Sequence, residues 1–131
     1  MEVIPFKNCP PYSSDPSIWK RLRPWDEMEW IASTGGAVCT WPIAYNAGGA
    51  VRQTFDDWAL EIMDMKNRIG MAHVGLGTDG GDVLPAYITG YNSISGLSHL
   101  AEAMRRAGFS EDDIRACFGG NLMRVLSLAI G

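Results

Sequence analysis

Residues 73–82, HVGLGTDGGD, hold most of what could do chemistry in this sequence. Asp79 stands in a run of glycines. Glycine carries no Cβ, so substrate or backbone can approach a carboxylate there closely. Such a carboxylate can act as an acid or base, or bind a metal or an amine. The plainer alternative is an Asp that makes a loop turn with Gly80. Gly75, Gly77 and Gly80 also spell G-x-G-x-x-G, the spacing of a dinucleotide-binding turn. That turn must open a helix whose amino end meets the pyrophosphate. Here GDVLPAYITGYN follows, and Pro85, Gly90 and Asn92 keep it from being a helix. The spacing alone therefore carries little weight for a nucleotide-binding domain.

His73 and His99 are the only histidines, and two so placed cannot build a zinc site alone. His73 precedes an apolar run and reads as structural. His99 falls on a helical pattern and reads as a surface residue. No G-x-S-x-G elbow is present, which argues against a serine hydrolase. Cys9, Cys39 and Cys117 are scattered and odd in number, without C-x-x-C. Neither a disulfide framework nor a cysteine zinc site is implied, and reduced thiols fit a cytoplasmic protein. AGFSEDDIRACFGGNLMRVL has the turn of a helix-turn-helix, but Glu111, Asp112 and Asp113 would repel phosphates. A net charge of −4 also argues against a nucleic-acid partner. No apolar run approaches the roughly 18 residues that span a bilayer. MEVIPFKNCPPY lacks the basic and apolar regions of a signal peptide.

The elements that must position these groups alternate. Glu2–Phe6 reads as a short strand cut by Pro5, and NCPPYSSDPS as loop. Ser17–Leu22 could form a helical turn. Pro24 starts a helix whose acids Asp26, Glu27 and Glu29 suit its positive end, and Gly35 and Gly36 stop it. Ala37–Trp41, AVCTW, is the pattern of a strand buried on both faces. IAYNAGGAVRQ reads as loop. Thr54 with Asp57 resembles a capping box, and Phe55, Trp58, Ala59, Ile62, Met65 and Ile69 follow at helical spacing. AHVGLGT is a further buried strand. The tail is helical: Leu97, Leu100, Ala101 and Met104 mark one helix, Ser110 with Asp113 caps another, and Asn121 caps a third carrying Leu122, Val125, Leu126 and Ala129.

Strand, helix, strand, helix, strand means βα units and a parallel sheet. The chain of 131 residues suits one small domain. Three strands that want cover on both faces nevertheless make a poor sheet alone, and open apolar edges invite association. The sequence reads as part of something larger.

The motifs carry a family resemblance. AHVGLGTDGG (72–81), followed by GFSEDDIRACFGGNLMRVL (108–126), resembles the carboxyl-terminal signature of the membrane dipeptidase (renal dipeptidase) family of zinc metallopeptidases. RPWDEMEWIASTGGAVCTW (23–41) resembles the segment that precedes it. The resemblance implies an α/β fold, the carboxyl-terminal part of a (β/α)8 barrel, with about three βα units plus tail helices. Residues 1–131 would be a single partial domain holding strands six to eight. The activity implied is hydrolysis of dipeptides at a two-zinc centre, most of whose ligands lie on strands outside this chain. Asp79 matches the family's Asp at the end of strand eight, where it would handle the proton of the attacking water and contact the substrate amine. For the Arg that grips the substrate carboxylate, the R-x-x-P spacing makes Arg21 the first choice and Arg23 the second, against a plain solvated helix-end charge.

One departure stands at the start. The family places a zinc-ligand His just after strand six, where VIPFKNCP puts Lys7 or Asn8. Neither is a good zinc ligand. The expectation is thus a metal-dependent dipeptidase barrel whose 131 residues here are inactive alone. The alternative is a non-catalytic interaction module that completes a barrel with another chain or its own copy.

Overall fold

The computed structural model describes residues 24–47, 50–78 and 87–131. The expected strand Glu2–Phe6, the turn Ser17–Leu22, and Lys7, Asn8, Arg21, Arg23 and Asp79 lie outside the described residues.

Helix α1, Trp25–Ser33, starts after Pro24 with Asp26 and Glu27 in its first turn. Gly35, at φ +84°, turns the chain out of the helix. Strand β1, Val38–Thr40, follows. It pairs in parallel with β4, Val74–Leu76, in the register Val38 to Val74, Cys39 to Gly75 and Thr40 to Leu76. The stretch between β1 and the next helix is not the loop its composition suggests. Tyr45–Ala47 (β2) and Ala50–Arg52 (β3) form a short antiparallel hairpin. Apolar periodicity alone does not reveal strands this short.

Helix α2, Phe55–Ile69, is the packing centre. Its capping box forms as the sequence implies. The Asp57 amide donates to the Thr54 hydroxyl at 3.1 Å and the Thr54 amide to the Asp57 carboxylate at 3.0 Å. Trp58, Ile62, Met65 and Ile69 are buried along one face, with Ala59 beside them. Each large apolar side chain so buried contributes about 1.5–3 kcal/mol. Helix α3, Leu97–Arg106, lays Leu100, Ala103 and Met104 against this cluster. Gly108, at φ +96°, ends that run, and Ser110 and Asp113 box the start of α4, Glu111–Arg115. A π-type turn, Ala116–Gly120, leads into α5, Asn121–Ile130.

Two expectations change here. Asn121 does not cap α5. The cap position falls on Gly120, and the Asn121 amide donates instead to the carbonyls of Met71 at 2.6 Å and Val74 at 2.8 Å. Secondly, β1 is not covered on both faces by the described residues: Val38 and Thr40 are buried, whereas Cys39 is exposed. Helix α5 is likewise open, with Met123, Leu126, Leu128 and Ile130 all at least half exposed.

Candidate functional site at the carboxyl edge of the parallel strands

The two parallel strands have a stitched amino end and a polar carboxyl end. At the amino end, the His73 Nδ1 lies 2.7 Å from the Gly36 carbonyl. A carbonyl only accepts, so that nitrogen carries the proton. Arg124 of α5 reaches the Gly35 carbonyl at 2.9 Å and the Ala72 carbonyl at 2.8 Å, just ahead of β1 and β4. With Asn121, these contacts tie α5 to the start of both strands. Gly75 permits the approach, since a Cβ there would lie 3.1 Å from the Cys39 sulfur and 3.4 Å from Leu122. The last tail helix thus packs against the start of both strands.

At the carboxyl end, the Gly77 amide donates to the Thr40 carbonyl at 2.9 Å, carrying the parallel ladder one step past Leu76. Thr78 is the last described residue on this edge, and Asp79 follows it in the chain. On the neighbouring strand, the segment after β1 is pinned by the returning chain. The Ile88 amide donates to the Pro42 carbonyl, and the Thr89 amide to the Gln53 carbonyl, both at 2.9 Å.

A buried polar network sits directly behind this edge. Arg52, 3% exposed, faces Glu61, 11% exposed, through Nε at 2.7 Å from Oε2. Its Nη2 donates to Glu61 Oε1 at 3.0 Å, so the guanidinium meets both carboxylate oxygens, one through a hydrogen bond and one through an ionic contact. Its Nη1 donates to the Trp41 carbonyl. The Thr40 hydroxyl accepts from the Trp58 indole at 3.1 Å and makes a long contact of 3.4 Å to Glu61 Oε1. Burial pushes the Glu61 carboxyl above its ordinary range, against the pull of Arg52 and Thr40, which both favour the charged form. Asp64, nearby, pushes the same way as burial.

Composition gave no warning of this network, but periodicity could have. Glu61 lies three residues after Trp58, on the apolar face of α2. A carboxylate on a buried face needs a cation, and Arg52 is close in sequence. Thr40 in an apolar strand is a second sign.

The histidines are placed as their contexts imply, away from this edge. His73 is held at the amino end, and His99 is exposed with its ring 5.5 Å from that of Phe55. Among the described residues, no group of three or more His, Cys, Asp or Glu side chains converges as metal ligands. The described residues therefore do not fit a zinc centre by themselves. Burial raises both described thiols, and Cys117 is pushed up to about 12, first by burial and then by the nearby Cys39.

The family model for membrane dipeptidase (peptidase family M19) matches residues 22–129. The chain belongs to the membrane dipeptidase family. Over 75 residues it is 31% identical to dipeptidase tcpJ of Claviceps purpurea (strain 20.1), a match covering 57% of this chain and 17% of that protein. Its fold resembles the crystal structure of an amidohydrolase from Pseudomonas aeruginosa, with a TM-score of 0.65 at 22% identity. That likeness covers 79% of this chain and 39% of the amidohydrolase chain. The sequence thus spans well under half the length of either relative. This member of the membrane dipeptidase family has an α/β fold with a small parallel sheet flanked by helices. No helix among the described residues is long and apolar enough to cross a membrane.

Proposed function

We propose that this chain is the carboxyl-terminal part of a metal-dependent dipeptidase barrel, and that it supplies an acid/base carboxylate rather than the metal ligands. The observation that carries the reading is the family match across residues 22–129, which includes the DGG sequence at 79–81. In this reading β1 and β4 are strands seven and eight. Active-site groups of such barrels stand at the carboxyl ends of the strands, the end at which Asp79 leaves β4. Asp79 would take the proton of the attacking water and contact the substrate amine. Arg21, or failing that Arg23, would hold the substrate carboxylate, since a guanidinium fork matches a carboxylate.

No metal step is derived from these residues. His73 is bound to the Gly36 carbonyl and His99 lies on the surface, and the resemblance would put Lys7 or Asn8 where the family has a ligand His. Zinc would have to be held by residues from the rest of a barrel. The 131 residues alone are accordingly inactive on dipeptides. Tight binding of two zinc ions and dipeptide turnover by the isolated chain would overturn that reading.

One observation favours a second reading, an interaction module that completes a barrel with a separate chain or its own copy. Cys39 on β1 and the apolar side chains of α5 stand open. Sedimentation of the purified chain distinguishes the two, since a well-folded monomer at micromolar concentration contradicts the module.

A further inference from the structure

The Arg52–Glu61 pair is placed to do more than fill space. Arg52 comes from the end of β3 and Glu61 from the second turn of α2. Between them they hold the consecutive residues Thr40 and Trp41 from two sides. Arg52 holds the Trp41 carbonyl, and Glu61 with the Trp58 indole holds the Thr40 hydroxyl. The Thr40 backbone carbonyl accepts the Gly77 amide of the neighbouring strand. The guanidinium, carboxylate and Thr40 hydroxyl thus form one hydrogen-bonded set, and the Thr40 backbone links that set to Gly77. Gly77 stands two residues before Asp79 in the sequence.

We infer that Arg52 and Glu61 are positioning residues that fix the carboxyl edge of β1 and, through the Thr40 carbonyl, the edge of β4 at Gly77. This deepens the dipeptidase reading and rests on it for its chemical meaning.

A packed hydrophobic pair could fill the same volume, and replacing buried ion pairs that way is often neutral or stabilising. Stability alone therefore gives no reason for an ion pair here. Geometry does. A planar guanidinium bound to a carboxylate at two points has one orientation, and that orientation aims Nη1 at the Trp41 carbonyl. A lysine ammonium would lack the fork.

The test is amide hydrogen exchange, followed by NMR on the full 131-residue chain and on the Glu61→Gln and Arg52→Met variants. The Gly77 amide reports the edge. The Phe109 amide, bonded to Met104, and the Gly70 amide, bonded to Lys66, report the rest of the fold. Both variants are expected to speed Gly77 exchange by about tenfold or more, the scale of a lost hydrogen bond to a charged group, with Phe109 and Gly70 little changed. Arg52→Met should have the larger effect, because Gln at 61 can still accept from Arg52. If Arg52→Met does not fold, Glu61→Gln decides alone. Unchanged Gly77 exchange, or equal acceleration at Phe109 and Gly70, overturns the inference. Dipeptide turnover by a barrel containing this chain reports separately on the proposed function. Localised deprotection without any turnover would retire the dipeptidase reading and leave the positioning role in place.

Discussion

The indole of Trp58 donates to the hydroxyl of Thr40 across 3.1 Å, joining the fully buried side chain of α2 to the last residue of β1. Both groups are buried, so neither can turn to water if its partner is removed. Thr40→Val should leave the indole N–H unsatisfied and cost about 1–3 kcal/mol. Trp58→Phe should cost more than the hydrogen bond, through lost volume. The double variant should cost less than the sum of the two, because the residues share one interaction. Urea denaturation of the four proteins measures the coupling directly.

Asn121 carries a comparable load at the other end of the strands. One amide group satisfies two carbonyls, those of Met71 and Val74. Asn121→Leu keeps a similar volume but takes the donor from the Val74 carbonyl, while Met71 still accepts the Val74 amide, and is expected to destabilise by about 1–3 kcal/mol. Asn121→Asp should be no better, because a carboxylate cannot donate to either carbonyl. Thermal melts at fixed pH check both.

Acid sensitivity should trace in part to Asp113. The Lys66 ammonium at 2.7 Å, helped by the Ser110 amide and hydroxyl, holds its carboxyl below the ordinary range. A carboxyl lowered in the folded state stabilises above its unfolded pKa, and loses that contribution as pH falls through the folded value. Asp113→Asn should thus be less stable than wild type at pH 7, with the gap closing as the pH drops below about 4. Glu61 runs the opposite way. Its carboxyl is raised, so its contribution is fullest at low pH and declines as pH rises through the folded value. Denaturation midpoints of Asp113→Asn and Glu61→Gln across pH 3–8 should diverge from wild type at opposite ends.

The two described thiols should differ sharply toward alkylation. Cys117 is fully buried, and its thiol is pushed up to about 12, so it is almost entirely protonated at neutral pH. Cys39 is exposed in this chain, although burial of part of its surface also raises it. Iodoacetamide at pH 8 should label Cys39 slowly and leave Cys117 untouched until the protein unfolds. Peptide mass spectrometry reads the two sites. Protection of Cys39 on mixing with the rest of a barrel would show that this face becomes an interior.

Much of the fold was legible because its signals are local. Thr54 with Asp57, Ser110 with Asp113, and glycines at 35, 70 and 108 mark element ends through caps and left-handed turns, which depend on few neighbours. The hairpin at 45–52 was not legible, since Gly-Gly reads as loop until strand pairing around it is known. Asn121 looked like a cap because Asn commonly is one, and only the nearby strand ends reveal its other use. Of the site, the sequence reached Asp79, Arg21 and Arg23 through motif likeness, and all three lie outside the described residues. The Arg52–Glu61 pair was hidden for a different reason. Its partners come from a hairpin and a helix whose proximity is a tertiary fact, and only Glu61 on an apolar helix face hinted at it.

Asp79 carries the chemistry proposed for this chain. In a full-length barrel carrying this sequence and loaded with zinc, the decisive measurement is dipeptide turnover by Asp79→Asn against wild type, with metal content determined on the same samples. If Asp79 is the acid/base group, turnover falls by about 10²–10⁴-fold while the zinc content is unchanged. Turnover by Asp79→Asn within a few-fold of wild type would contradict the account.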